Sequence, residues 1–482
     1  MKNLLYIISL CGLLTACDLQ EEPYGFYSDD NFYKSETDAE SGLLYAYNAL
    51  TFLEYSRGIF YIGDIPTETM SPKSDEAGDV YQLENWIAGR ETEQLKYYFK
   101  YCYIAINRAN TVIDHIQNSS ALSETARRRI LGEAYFLRAW NYFNLVRTFG
   151  IVPVQTKMVA ELSQTTPPMA TGLDQLYDLI FGDLTQADEL LGVNKVFGRA
   201  DKVAAQSLMA KAYLTIASSK EHNVYRYTEM RREPQIMYDS AAYWAGKVVR
   251  DYKDTYDFDT DLRDIYDVDK PTGPEHIFIM PIDRSGTQEG NYSKLPLLFL
   301  PSNNSVPFYI RYGNGDLQRA NGNGWGVFLC NDEFVETQFS TTDKRRTELI
   351  HRDIYDVSGN PIVPNQVKGY FSSKYVDPDF IGERTSARPY LIRFSDIALV
   401  YAEAAGPEAG LAYVNRIRER AGVTPLPSGM ATDKFREAVI KERALELAFE
   451  GNRLYDLRRT ASVTTTDIKA AGLSEAEAAY YP

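Results

Sequence analysis

Histidine, cysteine and tryptophan each occur only four times in 482 residues, and each scarcity removes a class of chemistry. The histidines, His115, His222, His276 and His351, stand far apart with no zinc-ligand spacing. Cys11 and Cys17 fall in the first twenty residues, leaving Cys102 and Cys330 for the folded part. They could close one disulfide in an oxidising compartment, or remain thiols, since Cys102 lies in a helical apolar pattern. Positive charge is also short: 51 Lys and Arg face 66 Asp and Glu, a net charge of −15. No basic face is available to neutralise phosphates, which excludes nucleic acid as a partner. Beyond the N-terminus no apolar run is long enough to span a bilayer. The sequence carries neither a G-x-x-x-x-G-K-[ST] phosphate loop nor a G-x-S-x-G elbow.

Carboxylates are plentiful, but their spacing does not make a catalytic or metal site. Eight aspartates lie between Asp251 and Asp269. An EF-hand count from Asp257 puts Leu262 where glycine is required and Val268 where the bidentate glutamate belongs. A looser surface calcium site stays open, and no other metal or cofactor is expected. Glu442, Glu446 and Glu450 recur every four residues, with Arg443, Arg453 and Arg458 close in sequence. An ion-pair network is the simpler account, because a glycosidase needs two carboxyls at a defined separation across the sugar. No catalytic residue is assigned, and no enzyme is expected.

What is present begins with a core: 44% of residues are apolar and 13% aromatic, including 36 tyrosines. Most of the tyrosines suit amphipathic core filling. The N-terminus has a positive Lys2 and an apolar stretch from Leu4 to Leu14, too short for a mature spanning helix. Leu14-Thr15-Ala16-Cys17 follows, with small residues just before a cysteine. This resembles a bacterial lipobox, which implies removal of residues 1–16 and acyl chains on Cys17. At about 0.8 kcal/mol per buried methylene, two or three chains anchor a protein firmly. The acidic run Asp18 to Glu22 resembles a surface-export signal.

Helical periodicity predicts helices over 94–117, 124–149, 173–192, 202–219 and 237–252, then 394–405, 408–421 and 432–450. In 202–219 the ladder Ala204, Leu208, Ala212 and Ile216 invites close helix approach, as in tetratricopeptide repeats, though no 34-residue period shows. From about 253 to 390 Gly, Asn, Pro and Asp cluster, broken by strand-like pieces such as His276–Met280. The aromatic content there is too high for disorder. Ordered irregular loops packed on helices are expected.

Several segments together resemble the SusD/RagB family. They are Tyr103-Ile104-Ala105-Ile106-Asn107-Arg108-Ala109-Asn110, Glu133-Ala134-Tyr135-Phe136-Leu137-Arg138-Ala139 to Phe149-Gly150, and Arg199-Ala200-Asp201-Lys202. Further along come Arg393-Phe394-Ser395-Asp396 to Tyr401-Ala402-Glu403-Ala404, Asn415-Arg416-Ile417-Arg418, and Glu442 to Glu446 running through Phe449-Glu450-Gly451 to Arg453 and Asp456. They keep the family's order over most of the mature chain. The resemblance implies a mostly α fold, SusD-like, of four tetratricopeptide-like helix pairs plus a large loop-rich irregular region. Residues 17–482 would form one such domain, with helical repeats over about 40–252 and 390–460 and ligand-binding loops over about 253–390. It implies a non-enzymatic lipoprotein, held in the outer membrane through Cys17 and facing the cell exterior. Such a protein captures glycan and delivers it to a SusC-like TonB-dependent transporter. Peptide capture by the same architecture, and a scaffold binding only protein partners, are the alternatives. One departure stands at the C-terminus, where the family continues past a Tyr-Pro-Ile-Pro-like segment and this chain stops at Tyr480-Tyr481-Pro482. A shorter tail or a truncated chain would explain it, and C-terminal contacts stay open.

A glycan site needs aromatic faces for sugar C–H surfaces and planar polar groups for hydroxyls. Stacking some 50 Å² of sugar on one ring is worth about 1 kcal/mol. Trp140 and Trp244 sit in helical patterns and are assigned to the core. Trp86 and Trp325 lie in polar loop segments, Trp86 with Tyr81 and Arg90, and Trp325 with Tyr309, Arg311, Tyr312 and Asn323. The expected platform is Trp86 and Trp325 with Tyr309 or Tyr312.

Overall fold

The computed structural model describes residues 32–74, 76, 78–285, 293–362 and 368–463. The signal segment 1–16, the lipidation residue Cys17 and the acidic run after it lie outside the described residues.

Among the described residues the chain begins with helices α1 (Glu36–Thr51) and α2 (Leu53–Gly63). A short strand β1 (Met70–Pro72) and helix α3 (Asp79–Glu84) follow. The long helices come next: α4 (Glu93–Ile116), α5 (Glu124–Phe149), α6 (Leu173–Leu190), α7 (Lys202–Glu221) and α8 (Pro234–Asp251). Each packs against the next, and α1 closes the row against α4 and α5. The irregular half holds β2 (His276–Ile279), α9 (Leu295–Phe299), β3 (Phe308–Arg311), β4 (Leu317–Ala320) and β5 (Phe328–Cys330). Helices α10 (Asp332–Gln338) and α11 (Lys344–Leu349) lead to β6 (Ile350–His351), β7 (Phe371–Ser372) and β8 (Tyr390–Arg393). The chain then returns to helix with α12 (Phe394–Ala405), α13 (Pro407–Arg420), α14 (Thr432–Glu446) and α15 (Arg453–Arg459).

The eight helices that periodicity predicts are all present, most within a few residues of the expected ends. Their boundaries have local causes. Ser123 caps α5 by accepting the Ala126 N–H at 3.3 Å, and Gly150 ends it in a left-handed turn with φ +75. Asp201 caps α7 through the amides of Val203 and Ala204 at 2.9 and 3.0 Å. The region 432–450 is helical only to Glu446, and Phe449 turns the chain with φ +65. Helices α1, α2, α3, α9, α10, α11 and α15 lie outside the predicted spans, although α1 does bury Ala39, Leu43, Ala46, Tyr47 and Leu50 at helical spacing. The shortest of them are single turns held by packing rather than by propensity.

The motifs that resemble the SusD/RagB pattern are buried polar staples between helices. Glu133 on α5 accepts from Arg199 at 2.6 and 2.8 Å and from the Tyr47 hydroxyl at 2.7 Å. Arg138, one helical face further on, grips Asp183 of α6 with two 2.7 Å bonds and reaches Asn110 of α4 at 2.9 Å. Near the C-terminus Arg393 bonds Glu275, Glu446 and Glu450, each at 2.9 Å. Lys374 joins Glu450 at 2.6 Å, and Arg345 joins Glu442 at 2.6 Å. The glutamates form an ion-pair network, but with partners other than the expected ones. Arg443 instead bonds Asp396 and Asp456 at 2.8 and 3.0 Å, Arg453 bonds Glu68 at 2.6 Å, and Arg458 donates to the Thr148 carbonyl at 2.9 Å. A helix separates residues four apart by one turn, while these partners arrive from other elements.

Cys102 and Cys330 are buried free thiols. Burial raises the Cys102 thiol well above its ordinary value. Trp140 lies in the core, as expected, and its indole N–H donates to the Tyr55 hydroxyl at 3.0 Å. Trp244 packs on the edge of the same core. Five of the eight aspartates of 251–269 join ion pairs, among them Asp257 with Arg416 at 3.0 Å and Asp264 with Lys270 at 2.6 Å.

Antiparallel pairing ties the irregular half to the helices. Strand β2 pairs with β8, directly ahead of α12. Strand β1 pairs with β5, so that Lys73 donates its amide to the Val327 carbonyl at 3.0 Å. The β3–β4 hairpin covers a small core of its own, built on Leu300, Phe308, Ile310, Ala320, Ile354 and Phe371.

Candidate functional site

Alternation along β3 and β4 settles which expected residues are available. Phe308 and Ile310 point into the small core, so Tyr309 and Arg311 face outward. Tyr309 stands opposite Arg319 in the hairpin register. Arg311 lies 4.2 Å from the Tyr355 ring centre and donates to the Gly359 carbonyl, so its guanidinium is directed toward a neighbouring loop.

Two of the expected platform aromatics are structural. Trp86 is 3% exposed, and its indole N–H donates to the Pro66 carbonyl at 2.9 Å. The loop that should have displayed it is the end of α3, and a left-handed turn at Trp86 itself (φ +56) folds the ring inward. Tyr312 is 8% exposed, edge-on to His351 at 5.6 Å, with Arg263 5.0 Å from its ring centre. Burial pushes its phenol above the ordinary value. Neither ring can offer a face to a sugar in this arrangement. Tyr81, 53% exposed, and Arg90 do lie on the surface. The β1–β5 pairing brings Lys73, just after β1, to Val327, two residues from Trp325.

Trp325 is the displayed ring. It is 45% exposed, and the loop beneath it is nailed down by its backbone. The Trp325 amide donates to Leu297 at 2.6 Å, and the Gly326 amide to Leu300 at 2.9 Å. A Cβ on Gly324 would overlap the Leu300 carbonyl, and Gly326 sits at φ +58. Glycine at these two positions is what lets the chain lie against α9 and turn the indole outward. Asn323, exposed beside it, bridges to Ser302.

Sequence reasoning missed the residues that complete this surface. Lys294 lies 5.7 Å from the Trp325 ring centre and pairs with Glu383 at 2.7 Å. Its backbone is left-handed, φ +54, a conformation that costs energy in a non-glycine residue and clusters at functional positions. The segment 377–386 runs along the same face. Asp377, fully buried, holds its base by accepting Ser386 N–H at 2.7 Å, Thr385 Oγ1 at 2.9 Å and Arg284 Nη1 at 2.7 Å. Its Pro378 carbonyl accepts from Arg319 at 2.7 Å, its tip presents Ile381 at 69% exposure, and Glu383 meets Lys294. One rigid loop therefore joins Arg319, opposite Tyr309, to Lys294 and Trp325. The signal for it was turn chemistry rather than a period: Asp377-Pro378-Asp379 and Gly382-Glu383-Arg384 stand a few residues apart, far from Trp325 in sequence.

The surface combines an exposed indole, a tyrosine, an apolar tip and paired charges on a scaffold fixed by backbone hydrogen bonds. Such a set stacks and hydrogen-bonds a polar ring; among the described residues no group of three or more His, Cys, Asp and Glu gathers to hold a metal ion. Fold and site together define a helix-built protein that presents a loop-borne aromatic surface. Two family models match the chain: the SusD family over residues 354–479, and the one described as starch-binding associating with outer membrane over residues 47–214. The chain is 24% identical over 486 residues to SusD-like protein P2 of Formosa agariphila, covering 94% of this chain and 89% of that one. Its fold matches a SusD homologue of Bacteroides thetaiotaomicron with a TM-score of 0.76, at 19% identity over 95% and 94% of the two chains. It also matches a laminarin-binding SusD-like protein with a TM-score of 0.74, at 21% identity over 93% and 96%. The chain belongs to the SusD/RagB family, whose members are non-catalytic binding proteins associated with the outer membrane.

Proposed function

We propose that this protein is a cell-surface glycan-binding lipoprotein, and that Trp325 is the central contact of its sugar platform. The observation that carries this reading is the display of Trp325 by a backbone-anchored loop, where burial would have been the cheaper fate for an indole. A half-exposed tryptophan forgoes part of the transfer free energy a core position would supply, and such exposure on a rigid loop fits ligand contact. Tyr309, Arg319, Asn323, Lys294 and Glu383 are its partners, with Ile381 at the rim. Tyr81 and Arg90 stand as outer contacts for a longer chain. Trp86 and Tyr312, both buried, do not touch ligand. The name of the laminarin-binding neighbour is in keeping with a glycan ligand.

In the same reading Cys17 carries the lipid that anchors the chain in the outer membrane, facing outward, and a SusC-like TonB-dependent transporter receives the captured glycan. Affinity electrophoresis of the mature chain in gels containing single polysaccharides tests the ligand class. Retardation by at least one polysaccharide, with no change by peptide mixtures, is expected. Retardation by none, together with binding of peptides, would overturn it. Substituting Cys17→Ala and fractionating cells tests the anchor, which predicts loss of the protein from the membrane fraction.

A further inference from the structure

A cavity lies within the helical half. It is enclosed by the C-terminal end of α5, the middle of α7, the loop 224–227 and α15, with a volume of about 90 Å³. A single water needs roughly 10–15 Å³ of such space, so the cavity has room for a small ligand. In a protein of net charge −15, the described residues of its wall include six cationic side chains, Arg147, Lys211, Arg226, Arg443, Arg458 and Arg459, and among those described residues one carboxylate, Asp456. Lys211, Arg443 and Arg459 are engaged by Asp396, Asp456 and Glu403.

Arg147 is different. Among the described residues no carboxylate lies within ion-pair distance of it; its guanidinium rests 3.8 Å from the Tyr455 ring centre and 5.1 Å from that of Phe143. Asn144 Oδ1 takes two of its N–H groups, at 2.6 and 3.2 Å. A guanidinium has five donors in a fixed fork, so three are left for a ligand, and the aromatic rings hold the fork in place. At the mouth, Arg226 sits in a left-handed turn (φ +63) beside Tyr225, which is half-exposed. We propose that this cavity binds a small oxyanion, gripped by Arg147 and admitted past Arg226. The chemistry is shared by the carboxylate of an acidic sugar and by free sulfate or phosphate. This site is built from other elements than the Trp325 surface and does not depend on the reading of that surface.

Isothermal titration of the full mature chain with sodium glucuronate, sodium sulfate and sodium phosphate, each against sodium chloride at equal ionic strength and with glucose as neutral control, tests it. A saturable heat with at least one oxyanion and none with glucose or chloride is expected. A response to glucuronate alone assigns a sugar acid; a response to sulfate or phosphate assigns an inorganic anion. Arg147→Met should weaken that binding by about tenfold or more, the effect of losing one charge-assisted hydrogen bond. Arg226→Met, in an exposed loop, serves the same purpose should the first variant fail to fold. No saturable heat with any of the three anions, or an affinity unchanged in the folded variants, would overturn the proposal.

Discussion

The ammonium of Lys294 lies 5.7 Å from the centre of the Trp325 ring while pairing with Glu383 at 2.7 Å. An exposed ion pair of this kind adds little to stability, about 0–1 kcal/mol. Its effect is positional: the pair fixes the segment 377–386 against the indole, so that the surface is set before a ligand arrives. Preorganisation of that kind lowers the entropic cost of binding.

The two loop tryptophans should therefore behave oppositely when truncated. Trp86→Ala empties a core position and orphans the Pro66 carbonyl, which should cost about 3–5 kcal/mol of stability. Denaturant unfolding measures it. A loss under about 1 kcal/mol, well below that range, would show that Trp86 is not held as described.

Gly324→Ala should disable the surface without touching a ligand-contacting side chain. The added Cβ collides with the Leu300 carbonyl, which moves the loop and the indole it carries. Expected is weakened glycan retardation in affinity gels with the helical circular dichroism unchanged. Normal retardation would mean that the loop geometry is unimportant.

The buried ion network makes a strong stability prediction. Arg393 is fully buried and bonds Glu275, Glu446 and Glu450, whose charge it shares with Arg420, Arg345 and Lys374. Removing one partner of such a set leaves uncompensated charge, so Arg393→Met should destabilise by about 3–5 kcal/mol. Replacing the whole set by apolar residues need not, which distinguishes charge burial from lost packing. Thermal unfolding of the single variant checks the first part.

His351 provides a pH dependence beneath the site. It is buried next to Tyr312 and bonds Ser373 at 3.1 Å, and burial lowers its pKa from 6.5 to about 4. Between those values the unfolded chain binds the proton and the folded chain does not. Stability therefore falls as pH drops from 6.5 toward 4, by up to about 1.4 kcal/mol per pH unit. Asp64 works the other way: burial raises it to about 7, so its contribution is lost as pH rises through 7. Asp64→Asn should remove that second slope, and His351→Gln the first, in unfolding series across pH.

Much of the helical frame was legible because its signals are local. Gly150 marks an end, and a 3.6-residue period marks faces. The polar motifs were also legible as a set, although their partners were not: nothing near Glu446 in sequence points to Arg393 or Arg345. The site was half legible. Trp325 stood out as an aromatic among Gly and Asn, and the local glycines explain its display. Trp86 looked alike in composition, yet one left-handed turn and a bond to Pro66 buried it. Lys294, Arg319 and Glu383 come together only through the packing of segment 377–386, a tertiary fact with no local signature.

The central claim is that the Trp325 ring itself takes part in holding glycan. Its most direct test is titration of whichever polysaccharide retards the wild type, against wild type and Trp325→Ala, with thermal unfolding of both. Stacking worth about 1 kcal/mol corresponds to roughly a fivefold loss of affinity, with the unfolding temperature unchanged. Equal affinity in the two proteins would contradict the account.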